Sequence, residues 1–310
     1  MGSITYALIS DIHGNLPALE AILRDAQYAG AKRFVFLGDY CLGLFEPNET
    51  MDMLRRLKNA VFVSGNEDSG LVTCPDEMQK GQYHARYWYR GHLSKENLAF
   101  LSELPNTTVL RESKAPPIFL FHKPETYFKS TMVSNINPHY YALGRDSNQF
   151  NKETFSVDFL KNDQKLSDTL SMLEDGVYAF GHTHIQWHEK IDGKLLVNAG
   201  SAGLPLDFDR KAAYTLLNFS GGEWSAEPRR VTYDVDLTLE RFKQSICMQS
   251  VPVWCGIIYL ELKTAREQAT PFLHYTESFA NQRNDNTRPF AEDTWNDSFN
   301  AWISGVKGDI

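Results

Sequence analysis

Five short apolar runs, at 4–9, 34–37, 60–63, 118–121 and 177–180, each stop at a side chain of a metal-ligating type. Unbroken apolar runs of this length predict strands buried on both faces. Just past them stand Asp11 and His13, then Asp39, Asn66, His122, and finally His182 with His184. Between the strands the period changes. Leu19, Ile22, Leu23 and Ala26 predict a helix over 17–28, with Asn15 as cap and Pro17 in the first turn; Met51, Met53, Leu54 and Leu57 predict another over 50–58. Two consecutive strand-helix-strand crossovers predict a parallel sheet. In such a sheet the strand carboxyl ends border one crevice, so side chains from residue 11 to residue 184 can meet there.

The rest of the pattern is less regular. Residues 71–117 read as helical and aromatic, with a helix over 94–103. Residues 123–165 have no clear period and predict an excursion beside the crevice rather than a core element. A helix over 163–174 follows, then shorter strands at 195–197, 213–219 and 229–233, with Ser220-Gly-Gly222 as a hairpin turn, which predicts a second sheet. Helices are expected over 238–247, capped by Asp236 or Thr238, and over 257–268. Beyond Pro271 the chain reads as irregular, with 281–287 as a mobile loop.

Charge and cysteines narrow the function classes. The chain of 310 residues carries 39 acidic and 31 basic side chains, a formal charge of -8. Such a surface repels duplex nucleic acid and anionic membranes, so any bound phosphate needs a local positive feature, and a divalent metal would be one. Cys41, Cys74, Cys247 and Cys255 show no C-x-x-C spacing and predict reduced thiols in a cytoplasmic protein. Asp11 interrupts the first apolar run too early for a secretory leader. The segment 251–262 is too short to span a membrane and contains Glu261.

The set Asp11-x-His13, Gly38-Asp39, Gly65-Asn66-Glu67-Asp68, His122 and Gly181-His182-x-His184 resembles the calcineurin-like metallophosphoesterases. The stretch 198–205 followed by 207–214 is similar to their small bacterial and archaeal phosphodiesterase branch. The resemblance covers about residues 4–235. It implies an α/β fold of two facing β-sheets flanked by helices, with residues 1–235 as catalytic domain, 123–165 as an insertion near the site and 236–310 as a helical extension packed on the core. It further implies two divalent ions bridged by Asp39, one completed by Asp11, His13 and His184, the other by Asn66, His122 and His182. Mixed oxygen and nitrogen ligands suit Mn²⁺, Fe, Zn²⁺ or Ni²⁺ better than Mg²⁺ or Ca²⁺, and Mn²⁺ is the expected ion. Two such ions can hold a hydroxide and stabilise an in-line displacement at phosphorus.

Two departures from the family bear on substrate. Many relatives carry His directly after the Asn, where it protonates the leaving oxygen; this chain has Glu67, which stays ionised beside two cations and is a poor general acid. That favours phosphodiesters or phosphoanhydrides, with a nucleotide or an asymmetrically cleaved dinucleoside polyphosphate as the expected substrate. Lys123 stands where the family usually has Gly, so its ammonium is a candidate for holding a substrate phosphate. Asn15, after the first metal loop, is the expected contact to the reacting phosphate, and Asp39, Asn66, Asn15 and Glu67 form the catalytic set. The Asp-Arg pair of Ser/Thr phosphatases and symmetrical dinucleoside tetraphosphatases is replaced by Tyr40-Cys-Leu-Gly-Leu44. A broad phosphomonoesterase and a non-catalytic scaffold are the alternatives; the filled ligand positions weigh against the scaffold. Tyr83, Tyr87, Trp88, Tyr89, Tyr127, Phe128, Tyr140 and Tyr141 read as core or lid packing before base stacking. His84, His92, His139, His188 and His274 read as structural or surface residues.

Overall fold

The computed structural model describes residues 4–138, 140 and 156–306. Ten strands form two five-stranded sheets. The first has the order β10-β9-β1-β2-β3, from β1 (Ile4–Ile9), β2 (Arg33–Phe36), β3 (Ala60–Phe62), β9 (Ala212–Ser220) and β10 (Glu223–Val231). The second has the order β4-β5-β6-β8-β7, from β4 (Thr107–Leu110), β5 (Ile118–Phe121), β6 (Val177–Phe180), β7 (Trp187–Ile191) and β8 (Lys194–Asn198). Strands β1-β2-β3 and β5-β6-β8 are parallel, while β9, β10, β4 and β7 run antiparallel to their neighbours.

The apolar runs are unbroken because both faces of these strands are covered. Along β1, Tyr6 and Leu8 point between the sheets, where they join Val35, Val63, Leu120, Ala179 and Val197 in one core. Ala7 and Ile9 point outward, under α1 (Leu16–Tyr28) and α2 (Pro47–Arg56). On the far side, Phe119, Phe121, Tyr178 and Phe180 form a third core with Leu166 and Leu170 of the helix 164–171. Each such fully buried aliphatic or aromatic side chain contributes roughly 1.5–3 kcal/mol. The three cores hold the strands in place from both faces of each sheet.

Differences from the expected elements have local causes. The second helix begins three residues early, at Pro47, whose fixed φ suits a first turn. The short strands β4 and β7 lie inside stretches read as helical or unassigned; they are edge strands whose alternation is too brief to stand out. Residues 123–165 are not merely an excursion: Phe128, Val133, Ile136, Tyr140, Val157 and Leu160 are buried in the third core, although His139 and 141–155, with Tyr141, lie outside the described residues. The helix expected at 238–247 is two, Val235–Lys243 and Ile246–Ser250, and Asp234 rather than Asp236 or Thr238 caps the first, its side chain accepting the N–H of Leu237 at 2.9 Å.

The helix expected from 257 spans Pro252–Thr264, and beyond Pro271 the chain is helical, Ala269–Gln282 and Glu292–Val306, not irregular. The segment 251–262 is apolar all round because it is a bridge. Cys255, Ile258 and Leu262 face the core under the first sheet, while Val253 and Ile257 face Phe272, Phe290 and Trp295 of the last helices. Among the described residues, no helix is long and apolar enough to cross a membrane. All four cysteines are free and buried.

Candidate metal centre

The strand ends place two triads side by side. Asp11, His13 and His184 form one, and Asp39, His122 and His182 the other; within each, the ligand-type atoms lie within 4.8 Å of one another. Oδ1 of Asp11 is 3.2 Å from Nε2 of His184 and 3.8 Å from Nε2 of His13. Oδ2 of Asp39 is 3.1 Å from Nε2 of His122. The triads adjoin, because Nε2 of His122 is also 4.0 Å from Oδ1 of Asp11. Oδ1 of Asn66 stands 3.1 Å from that same His122 nitrogen, which adds it to the second triad.

The backbone is bent to present them. Five of the six triad residues, all but His122, have φ between +53° and +70°, which non-glycine residues adopt only when their surroundings impose it. Paired loops impose it here. Asp11 N–H donates to Gly38 O, Ile12 and His13 N–H to Asp39 O, and Gly14 N–H to Tyr40 O, at 2.9–3.1 Å. Asp68 completes the clamp. Its carboxylate accepts the N–H groups of Asp39 and Gly65 at 2.8 Å each and of Tyr40 at 3.0 Å, with no exposure to solvent. The sequence contained Asp68 in its motif but gave no sign of this role, because the three donors come from two separate loops.

The imidazoles are aimed from behind. Nδ1 of His13, His122 and His184 donates to the carbonyl oxygens of Leu42, Leu37 and Leu204 at 2.7, 2.7 and 2.6 Å. Each Nε2 is therefore turned inward as the nitrogen with a lone pair to offer. Asp39 is fixed through Oδ1, which accepts the Glu67 N–H at 2.8 Å, and Asp11 through Oδ2, which accepts the His182 N–H at 3.0 Å.

These donors fit divalent ions on two observations. Oδ1 of Asp11 is buried and, beside the His184 imidazole at 3.2 Å, has no hydrogen-bond partner, a costly arrangement for a carboxylate oxygen unless a cation meets it. Nε2 of His13 and Nε2 of His184 face each other at 3.1 Å, where two lone pairs need a proton or a cation between them. The electrostatics agree. Burial opposes charge on His122 and His184, yet the Asp39 and Asp11 carboxylates outweigh it and push His122 up to about 10 and His184 up to about 9. Burial and neighbouring imidazoles hold His13 below its ordinary value and His182 down at about 4. Burial raises Asp11 and Asp39, but His184 and His122 more than offset it, so both carboxyls sit below the usual range. The cluster draws in positive charge.

A cavity of about 250 Å³ opens onto both triads, lined by His13, Asp39, Asn66, Glu67, His182 and His184. Its far wall is Trp254, Ile258, Glu261, Glu267, Ala269 and Thr270, from the helices Pro252–Thr264 and Ala269–Gln282 and the turn between them. A larger cavity of about 460 Å³ near Phe45, Trp88 and Arg241 contains none of the triad residues. Glu261 is 2% exposed, and its Oε1 accepts the N–H groups of Gln268 and Ala269 at 2.9 and 3.0 Å. The sequence reading missed this wall, since its residues begin 70 positions after His184 and carry no pattern of their own.

Other expected site residues are placed differently. Asn15 does not reach the cavity: it is fully buried, its Oδ1 accepts the Ala18 N–H at 3.2 Å as the α1 cap, and its Nδ2 donates to Gly203 O and Tyr233 Oη at 2.8 and 2.9 Å. Every polar atom of that side chain is committed to holding loops together. Lys123 is exposed beside His122 and does not line the cavity, though its charge adds to the downward push on His182. None of the described aromatic candidates lines it either. Tyr89 is buried and donates to Gly43 O and Leu44 O, Trp88 stacks on His92 with centroids 3.8 Å apart, and Tyr127 and Phe128 pack on Phe121.

Similar proteins share this architecture. Residues 4–222 match the calcineurin-like phosphoesterase superfamily domain. The uncharacterized protein MJ0912 of Methanocaldococcus jannaschii is 30% identical over 267 residues, covering 81% of this chain and 95% of that protein. The crystal structure of a metallophosphoesterase from Sphaerobacter thermophilus superposes with a TM-score of 0.57 at 21% identity, covering 85% of this chain and all of the other. That of the hypothetical protein PH1004 from Pyrococcus horikoshii OT3 gives 0.57 at 18% identity, covering 83% and 98%. At these identities the two structures speak for the fold.

Proposed function

The chain belongs to the calcineurin-like phosphoesterase superfamily, is a phosphoester hydrolase, and from that premise we propose that it cleaves phosphodiesters at a dinuclear centre. The observation that carries the reading is the pair of adjoining triads that meet at the buried Oδ1 of Asp11. Asp11, His13 and His184 would hold one ion, and Asp39, Asn66, His122 and His182 the other, with Mn²⁺ the expected occupant of both. When bound, two such ions supply Lewis acidity at the phosphoryl oxygens and make water a nucleophile near neutral pH.

The residues do the rest by position. His13, His122 and His184 are kept in the tautomer that ligates, and the hydrogen bonds to the carbonyls behind them hold the rings in that orientation. The wall from the C-terminal helices closes one side of the cavity and sets the space left for substrate. Among the described residues no Lys or Arg lines the cavity, while Glu67, Glu261 and Glu267 do. A single phosphate can be neutralised by the two ions, but further phosphates would face the acidic side chains of Glu67 and Glu267, Glu261 being held protonated by its burial. For that reason the dinucleoside polyphosphate is the weaker of the expected substrates, and a diester with one phosphate and a compact organic group fits better.

The test is to incubate the Mn²⁺-loaded protein with bis-p-nitrophenyl phosphate and, separately, with diadenosine tetraphosphate. Cleavage of the diester with the tetraphosphate untouched supports the reading. ATP and AMP as products at a comparable rate would replace it with phosphoanhydride hydrolysis.

A further inference from the structure

Glu67 follows Asn66 directly and both its carboxylate oxygens are engaged. Oε1 accepts Nδ2–H of Asn66 at 3.0 Å, and Oε2 accepts Nη2–H of Arg86 at 2.8 Å. An ionised carboxylate only accepts, so it settles which way the Asn66 amide faces: the NH₂ end toward Glu67, the oxygen toward Nε2 of His122 at 3.1 Å. Rotated by half a turn, the same amide would present hydrogens to the second triad and could not ligate an ion. Resting on the dinuclear reading above, we propose that Glu67, locked by Arg86, is a positioning residue that holds the Asn66 amide oxygen toward the ion of Asp39, His122 and His182.

The geometry around Arg86 fits this task. It rises from the helix His84–His92 and lies across the helix Asn66–Thr73, whose Gly70 makes the room. A Cβ at Gly70 would come within 2.7 Å of both Cζ and Nε of Arg86. A glycine inside a helix costs stability, so one placed under a guanidinium is informative. The Arg86 and Glu67 side chains are 28% and 21% exposed, too sheltered for an ordinary solvated pair. Charge on Glu67 is thereby kept for orientation, not for proton transfer to a leaving group.

Manganese binding to the full chain, by calorimetry and by electron paramagnetic resonance of the free ion, separates this from a merely structural bridge between two helices. The wild type should take up two ions. E67Q and R86M should keep one at wild-type affinity and lose roughly 10–100-fold in affinity for the other. R86K, whose ammonium still meets Oε2, should restore the second ion. G70A should reproduce the selective loss by displacing the guanidinium, and serves if R86M does not fold. Two ions at wild-type affinity in both E67Q and R86M would overturn the proposal, as would equal weakening of both ions. A wild type that binds fewer than two ions would remove the dinuclear premise itself, a failure recognisable without any variant.

Discussion

Oδ1 of Asp11 stands 3.2 Å from Nε2 of His184, so the first and last motifs of the catalytic region meet at one buried, otherwise unpartnered oxygen. Asp11→Asn removes the charge that holds this corner together and puts an amide where a cation is expected. Hydrolysis of bis-p-nitrophenyl phosphate should fall by about 10²–10³-fold, with one of the two manganese ions lost. Full activity in this variant, measured as kcat/KM, would separate Asp11 from the chemistry.

Removal of the metal should silence the protein without unfolding it. The three cores that bracket the sheets contain none of the triad residues. After treatment with a chelator, hydrolysis should vanish while the far-ultraviolet circular dichroism stays, and added Mn²⁺ should restore the rate. Activity that survives exhaustive chelation would refute metal dependence.

Metal uptake should depend on pH in a defined direction. His122 and His184, held up at about 10 and about 9, carry protons at neutral pH that a ligating imidazole must lose. Apparent affinity should therefore rise as pH climbs toward 9–10 and level off above it. Calorimetry in buffers of different ionisation enthalpy should find about two protons released at pH 7 as both sites fill. No proton release would contradict the charged state assigned to these rings.

Glu261 offers a stability test away from the triads. Burial pushes its carboxyl up to about 8, with Glu267 adding to the push. Folding then holds its proton more tightly than the unfolded chain does, so stability falls as pH rises from about 4.5 to about 8 and is flat beyond. Glu261→Gln keeps an acceptor for Gln268 and Ala269 and should remove that fall. The metal-free variant should melt on the order of a few degrees above wild type at pH 8.5 and show no such advantage at pH 4.5.

The glycine before Asn66 acts through room rather than conformation. A Cβ on Gly65 would lie 2.0 Å from Oδ1 of Asp39, whereas its φ of -87° is open to any residue. Gly65→Ala should displace the Asp39 carboxylate, lowering manganese affinity and hydrolysis together by on the order of 10–100-fold. Wild-type metal binding in this variant would show that the loop can yield.

Strands that end on a residue of ligating type were legible because burial on both faces leaves an unmistakable apolar run, and the polar stop marks the crevice. That is why β1, β5 and β6 were expected with the bounds they have. Asn15 was legible as a cap but not as a buried tether, since its partners Gly203 and Tyr233 are distant in sequence. Gly38, with φ of +101°, turns the chain, whereas Gly65 and Gly181 are needed for close approach to Asp39 and to Ser10, a three-dimensional reason that no local pattern carries. The C-terminal helices hid for the opposite cause: Val253, Ile257, Phe272 and Trp295 bury one another, so the stretch lacks the clean polar face by which a surface helix is recognised.

Each triad draws on both sheets, Asp11, His13 and Asp39 from the loops after β1 and β2, and His122, His182 and His184 from those after β5 and β6. An ion seated in either triad is thus a rivet driven through two plates. Sliding one sheet against the other by the width of a side chain would shear both rivets at once, so bound metal records the alignment of the interior. A substitution at Leu8 or Val197, in the core between the sheets, should announce itself first as lost manganese.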